Sequence, residues 1–200
     1  MVRRCATVAT LLLVGLATAA QAEREDPSRW PQRTTALHLT TTARYLGDRS
    51  VGGVGLGAEV AWGWGRWQAL ADARAGWAFA DGGGGPMVRA GGGVRWLARS
   101  FQPDSSAALQ LYLDAGAGIE HLALAGGGLT VPSVWGGWGW QVRAGGTHRR
   151  LMFRFILRIE IAPAVDRDRV ARVLCRGACT AMVTSAPFDE AFSGGLGVAW

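Results

Sequence analysis

Along most of the chain, polar and apolar residues alternate one for one. Between Arg33 and Gly47, Thr35, Leu37, Leu39, Thr41, Ala43 and Tyr45 share one face, with Ala36, His38, Thr40, Thr42 and Arg44 on the other. A period of two belongs to a β-strand lying between two different environments. The second segment sets Val54, Leu56, Ala58, Val60, Trp62 and Trp64 against Gly55, Gly57, Glu59, Ala61 and Gly63. The third runs from Trp67 through an alanine-rich face to Trp77 and Phe79, with Gln68, Asp72 and Arg74 opposite. The fourth, Met87 to Arg99, sets Val88, Ala90, Val94 and Trp96 against Arg89, Arg95 and Arg99.

The fifth segment alternates most cleanly, from Leu109 to Ile119 on one face with Tyr112, Asp114 and Glu120 on the other. The sixth, from Val134 to Gly145, opposes Trp138 and Trp140 to Gln141 and Arg143; a bulge at Gly136-Gly137 would leave Trp135 free to take either face. The seventh sets Phe153, Phe155, Leu157 and Ile159 against Arg154, Arg158 and Glu160, and the eighth ends on Trp200. Short turns are expected at Gly65-Arg66, Ser100 to Ser105 and Gly145 to Arg149. Longer loops are expected at Asp81 to Pro86, His121 to Ser133 and Pro163 to Pro187, with Gly47 to Ser50 a short exception. The expected fold is all-β, an eight-stranded antiparallel up-and-down barrel.

The amino-terminal segment follows a different pattern. Arg3 and Arg4 precede an uncharged run from Cys5 to Ala20, and Ala20-Gln21-Ala22 fits the small-x-small rule of a signal-peptidase site. Residues 1–22 are therefore expected to be a signal peptide, 23–32 a periplasmic segment and 33–200 the barrel. No other apolar run reaches the ~20 residues of a membrane helix, and Leu151 to Ala162 is interrupted by Arg154, Arg158 and Glu160. Any crossing of a bilayer would use strands, and each segment supplies the ~9–11 residues this takes.

Alternation does not say which face points inward, but three features favour an apolar face in lipid. The charged face is rich in glycine, which suits a narrow interior. It holds both signs, so Arg44, Arg74, Arg89, Arg95, Arg143, Arg154 and Arg158 can pair with Glu59, Asp72, Asp114, Glu120 and Glu160. Aromatic residues on the apolar face gather near strand ends, Trp62, Trp64, Trp67, Trp96 and Trp200 at one level and Tyr45, Trp77 and Phe79 at the other, as in the girdles at membrane interfaces. A soluble secreted barrel would need an apolar lumen, which that many indoles would overfill.

The tail Ser193-x-Gly195-x-x-Val198-x-Trp200 resembles the carboxy-terminal assembly signal of bacterial outer-membrane barrels. In architecture the chain resembles the small eight-stranded OmpA/OmpX type over nearly its whole mature length. That resemblance implies a transmembrane barrel in the outer membrane of a Gram-negative-type envelope. Its implied partners are membrane lipids, lipopolysaccharide and the barrel-assembly machinery.

Little in the chain points to catalysis, and no cofactor or metal is expected. A barrel enzyme that modifies lipid A would need a nucleophile, a base and a carboxylate together. Of His38, His121 and His148, only His121 beside Glu120 offers a pair to test. Cys175 and Cys179, in the longest loop of an exported chain, are expected to form a local disulfide. Arg167, Arg169, Arg172 and Arg176 in that loop could meet lipopolysaccharide phosphates, or be solvated beside Asp166 and Asp168. The net charge of +6 is mild and the chain has no lysine, so no nucleic-acid partner is expected. Eight strands leave too little lumen for a wide pore. The leading expectation is a monomeric, non-enzymatic envelope protein with a structural or surface-interaction role. The alternatives are a lipid A-modifying enzyme and a soluble ligand-binding barrel.

Overall fold

The structure is a computed structural model that describes residues 33–46, 49–81, 83–104, 107–124, 126–144, 151–163, 170, 173, 174 and 188–200. Eight strands follow in chain order: β1 (Arg33–Leu46), β2 (Arg49–Trp64), β3 (Trp67–Ala80), β4 (Gly83–Asp104), β5 (Ala107–Leu124), β6 (Gly127–Ala144), β7 (Met152–Pro163) and β8 (Phe188–Ala199). Each pairs antiparallel with its sequence neighbours, and β1 pairs with β8, so the sheet closes on itself. Closure removes both free edges of the sheet. It extends to the carboxyl terminus, where Thr35 and Trp200 exchange backbone hydrogen bonds of 2.9 and 2.8 Å.

The alternation written in the sequence becomes two walls. Leu37, Leu39, Val54, Leu56, Leu113, Phe153 and Leu196 project outward and are exposed, while Arg44, Glu59, Asp114, Arg154 and Ser193 of the same strands are buried in the lumen. The β2–β3 hairpin turns in two residues, with Gly65 at φ 61°, a left-handed conformation that glycine adopts without a Cβ clash. Pairing through Gly136 and Gly137 is continuous, so no bulge intervenes there and Trp135 points inward.

Three local expectations need correction. The stretches Asp81 to Pro86 and His121 to Ser133 are not loops: β4 begins at Gly83, β5 runs to Leu124 and β6 starts at Gly127. Glycine has no side chain to register in a hydropathy pattern, yet its backbone pairs closely. A Cβ on Gly85 would lie 1.8 Å from the Ala123 carbonyl oxygen. The Ser100 to Ser105 turn also shrinks, because β4 stays in the sheet as far as Asp104. The third correction concerns Arg99. The register between β4 and β5 shifts between Leu97 and Arg99, so Arg99 pairs with Leu111 on the outward parity rather than joining Arg89 and Arg95 inside.

The lumen is stratified. At the end remote from the termini, Leu46, Val51, Met87, Leu122, Leu129 and Val131 form an apolar layer, joined by Val170, Val173 and Leu174 of the β7–β8 connection. Beneath it lies a charged layer, and Ala36, Met152 and Ala199 meet near the termini. Expectations for residues 1–32, His148, Arg167, Arg169, Arg172, Cys175, Arg176 and Cys179 lie outside the described residues, as do the side chains of Trp64 and Arg143.

Candidate functional site: the charged lumen

Inward parity on β1 to β5 and β7 delivers Arg44, Glu59, Asp72, Arg74, Arg89, Arg95, Asp114, Glu120, Arg154, Arg158 and Glu160 to the lumen, all of them buried. Asp189 of β8 is buried there too, so among the described residues six buried guanidiniums face six buried carboxylates. Isolated charges at such depth would cost far more than a domain's stability. Opposite charges make the arrangement tenable, most of them in direct contact and Arg74 more loosely placed 3.6 Å from Asp72 and 4.0 Å from Glu160.

Glu59 is the hub of the half nearer the termini. It takes Arg95 Nη1 at 2.8 Å, Arg158 Nη2 at 3.2 Å and a short contact from Arg154. Arg95 also grips Asp114 with two parallel bonds, Nε to Oδ1 at 2.8 Å and Nη2 to Oδ2 at 2.9 Å. That fork geometry is the strongest form of the pair. Arg158 spans to Asp72 at 3.0 Å, linking β7 to β3 across the lumen.

Glu160 organises the other half. It lies 2.9 Å from Arg89 Nη1 and 3.2 Å from Arg44 Nη2, and accepts hydrogen bonds from the hydroxyls of Ser133 and Ser193 at 3.3 and 3.4 Å. Arg44 completes this group by donating from Nε to Glu120 at 2.7 Å. Aromatic rings serve as further partners for the cations: Arg95 Cζ lies 4.1 Å from the Tyr112 ring centre, and Arg158 Cζ lies 4.1 Å from that of Trp135. Electron-rich ring faces favour guanidinium in a desolvated site. The Tyr112 hydroxyl donates to the Phe155 carbonyl at 2.8 Å, and the amide of Gln141 donates to that of Gln110.

Inward glycines make room for these groups. A Cβ on Gly139 would lie 2.3 Å from the Tyr112 ring, and one on Gly116 would lie 2.5 Å from Trp135. Asp189 and the cation–ring partnerships were not singled out in the sequence, although inward parity on β8 already places Asp189. His38 is inside, with both ring nitrogens buried and without a hydrogen-bond partner. His121 is outside, its Nδ1 2.9 Å from the Thr130 hydroxyl. Glu120 and His121 are adjacent in sequence but face opposite sides of the wall. As a proton-transfer pair they are therefore not assembled.

On the outer wall Tyr45, Trp62, Trp67, Trp77, Phe79 and Trp200 are exposed, and Trp96 lies half-buried against Trp67 with ring centres 6.4 Å apart. Of the tail residues, Ser193 and Gly195 face inward while Trp200 faces outward. Among the described residues no group of three or more His, Cys, Asp or Glu side chains could hold a metal ion.

No family model matches the chain, and no curated protein matches it in sequence. Solved structures do match it. Neisserial surface protein A aligns with a TM-score of 0.55 at 10% identity, over 84% of this chain and 96% of that one. Ail, the attachment invasion locus protein of Yersinia pestis, aligns with a TM-score of 0.43 at 12% identity, over 86% of this chain and 100% of that one. The first of these likenesses is one of fold, and the fold is that of the small eight-stranded outer-membrane barrels.

Proposed function

We propose that the mature chain is an integral outer-membrane barrel with a non-enzymatic role in envelope structure or surface interaction. One observation carries this reading: burial is inverted relative to a water-soluble protein. Leu39 is 62% exposed and Leu56 68%, whereas Arg95 and Arg158 are 0% exposed. In water such a molecule would lose free energy on both walls. In a bilayer the outer wall meets hydrocarbon and the charges meet one another. A soluble ligand-binding barrel would need an open apolar lumen, and this one is filled by paired guanidiniums and carboxylates.

The same reading takes residues 1–22 as a cleaved signal, Tyr45, Trp62, Trp67, Trp77, Phe79, Trp96 and Trp200 as interfacial anchors, and the tail as the mark read by the assembly machinery. Lipid and lipopolysaccharide are then its immediate surroundings. A lipid-modifying hydrolase is disfavoured because His121 bonds Thr130 outside while Glu120 is held by Arg44 inside. Cell fractionation, carbonate extraction and mass spectrometry of the purified protein test this. The expected result is a chain beginning at Glu23 that stays with the outer membrane. A carbonate-soluble periplasmic product would overturn the reading.

A further inference from the structure

The seam between β6 and β7 is not paired along the full length of either strand. β6 keeps its pairing with β5 up to Gly127, and β7 keeps its pairing with β8 up to Pro163. Their pairing with each other ends at Val134 and Ile161. Pro132 and Pro163 stand just beyond that last pair, and neither has an N–H with which to continue a ladder. Where the strands part, the outer wall carries a groove of about 780 Å³. Its lining includes the small Ala90 and Ala117 and the larger Ile119, Val134, Ile161 and Phe188.

We propose that this groove holds one acyl chain of a membrane lipid, with the hydrocarbon against Ala90 and Ala117 and the ester end toward His121 and Thr130. The inference rests on the reading of the outer wall as lipid-facing. Small residues set among large ones let a chain sink into the wall and touch more protein than a smooth surface offers; that gain in dispersion contact is what selects partners in a bilayer. The groove is largely open, and its volume is far greater than a solvent molecule needs. Its lining is almost wholly apolar, so a water-soluble ligand would find few hydrogen-bond partners there. Ile119, Val134 and Phe188 are each more than half exposed, so the groove opens directly onto the rest of the outer apolar wall. Orientation comes from register. Ile119 pairs with Pro132, and the next outward pair along the same two strands is His121 with Thr130, a polar pair placed for the ester and headgroup.

The test uses the full chain reconstituted in phosphatidylethanolamine/phosphatidylglycerol vesicles. These contain a trace of phosphatidylethanolamine carrying a diazirine at the chain terminus or beside the ester. After irradiation and peptide mapping, the terminal probe is expected to label around Ala117 and Val134 at least about threefold above Leu39 and Leu56 on the far wall. The ester-proximal probe is expected to move the label to His121 and Thr130. Ala117→Phe, which fills the groove from an exposed position, is expected to abolish the excess while leaving labelling at Leu39 and heat-modifiable gel mobility unchanged. Ala90→Leu serves the same purpose if Ala117→Phe does not fold. Even labelling around the barrel, or an excess that survives the filled groove, would overturn the site and leave the lipid-facing reading intact. No labelling at any outward position would overturn both.

Discussion

Glu59 holds three guanidiniums, and its neighbours differ in what remains if it changes. In Glu59→Gln, Arg95 keeps Asp114 and Arg158 keeps Asp72, but Arg154 is left with the Gln141 amide oxygen at 3.1 Å. Stranding a buried cation is expected to cost about 3–5 kcal/mol in urea unfolding from liposomes. Arg154→Gln leaves Glu59 with Arg95 and Arg158, and should cost less, about 1–3 kcal/mol. Phe155 is adjacent to Arg154 in sequence but faces outward between Trp138 and Trp140, with ring centres 5.6 and 5.7 Å away. Phe155→Arg therefore places a charge in hydrocarbon, and about 2–4 kcal/mol is expected near the midplane. If Arg154→Gln proved more damaging than Phe155→Arg, the two walls would have been assigned the wrong way round.

At the scale of the element, β8 has two tasks, since it pairs with β7 on one side and closes the barrel on β1 on the other. Trp200 ends that closure through its two backbone bonds to Thr35. Deleting Trp200, or replacing it with Asp, is expected to abolish the heat-modifiable folded species while leaving export and signal cleavage intact; immunoblotting of envelope fractions with and without heating reads both. All eight strands were legible as period-two segments because each separates two environments. Their ends were not. The runs Gly83 to Gly85 and Gly127 to Gly128 carry no hydropathy signal, and they join the sheet because neighbouring strands supply the hydrogen-bond partners. Arg99 was misplaced for a related reason: parity counts residues, and a bulge inserts one without marking the sequence.

For the whole molecule, the stratified lumen decides what can pass. Ion pairs fill its middle, and an apolar layer that includes Val170, Val173 and Leu174 closes the end remote from the termini. Among the described residues both layers are buried side chains, so no aqueous path for ions is expected through them. In planar bilayers the purified protein is expected to show no steady conductance above background. Replacing Leu122 and Leu129 together with Ser should raise the leak, because polar groups there would hold water against the charged layer. Steady conductance in the unaltered chain would mean that the apolar layer is not closed in the membrane.

Alternation alone determined that this chain makes strands and which residues share a wall, since a side chain's face follows from counting by two. Composition along those walls, charges beside glycines on one and indoles among aliphatic residues on the other, already favoured the charged wall as the inner one. Contacts across the lumen are another matter. Arg154 meets Glu59 from 95 positions away and Arg158 meets Asp72 from 86, and no local rule links such pairs. They follow from the number of strands and from the register at which β1 closes on β8. The parting of β6 from β7 at Pro132 and Pro163 was equally invisible in the sequence, because a proline marks a place where pairing can stop, and only the closed sheet shows which partner is lost.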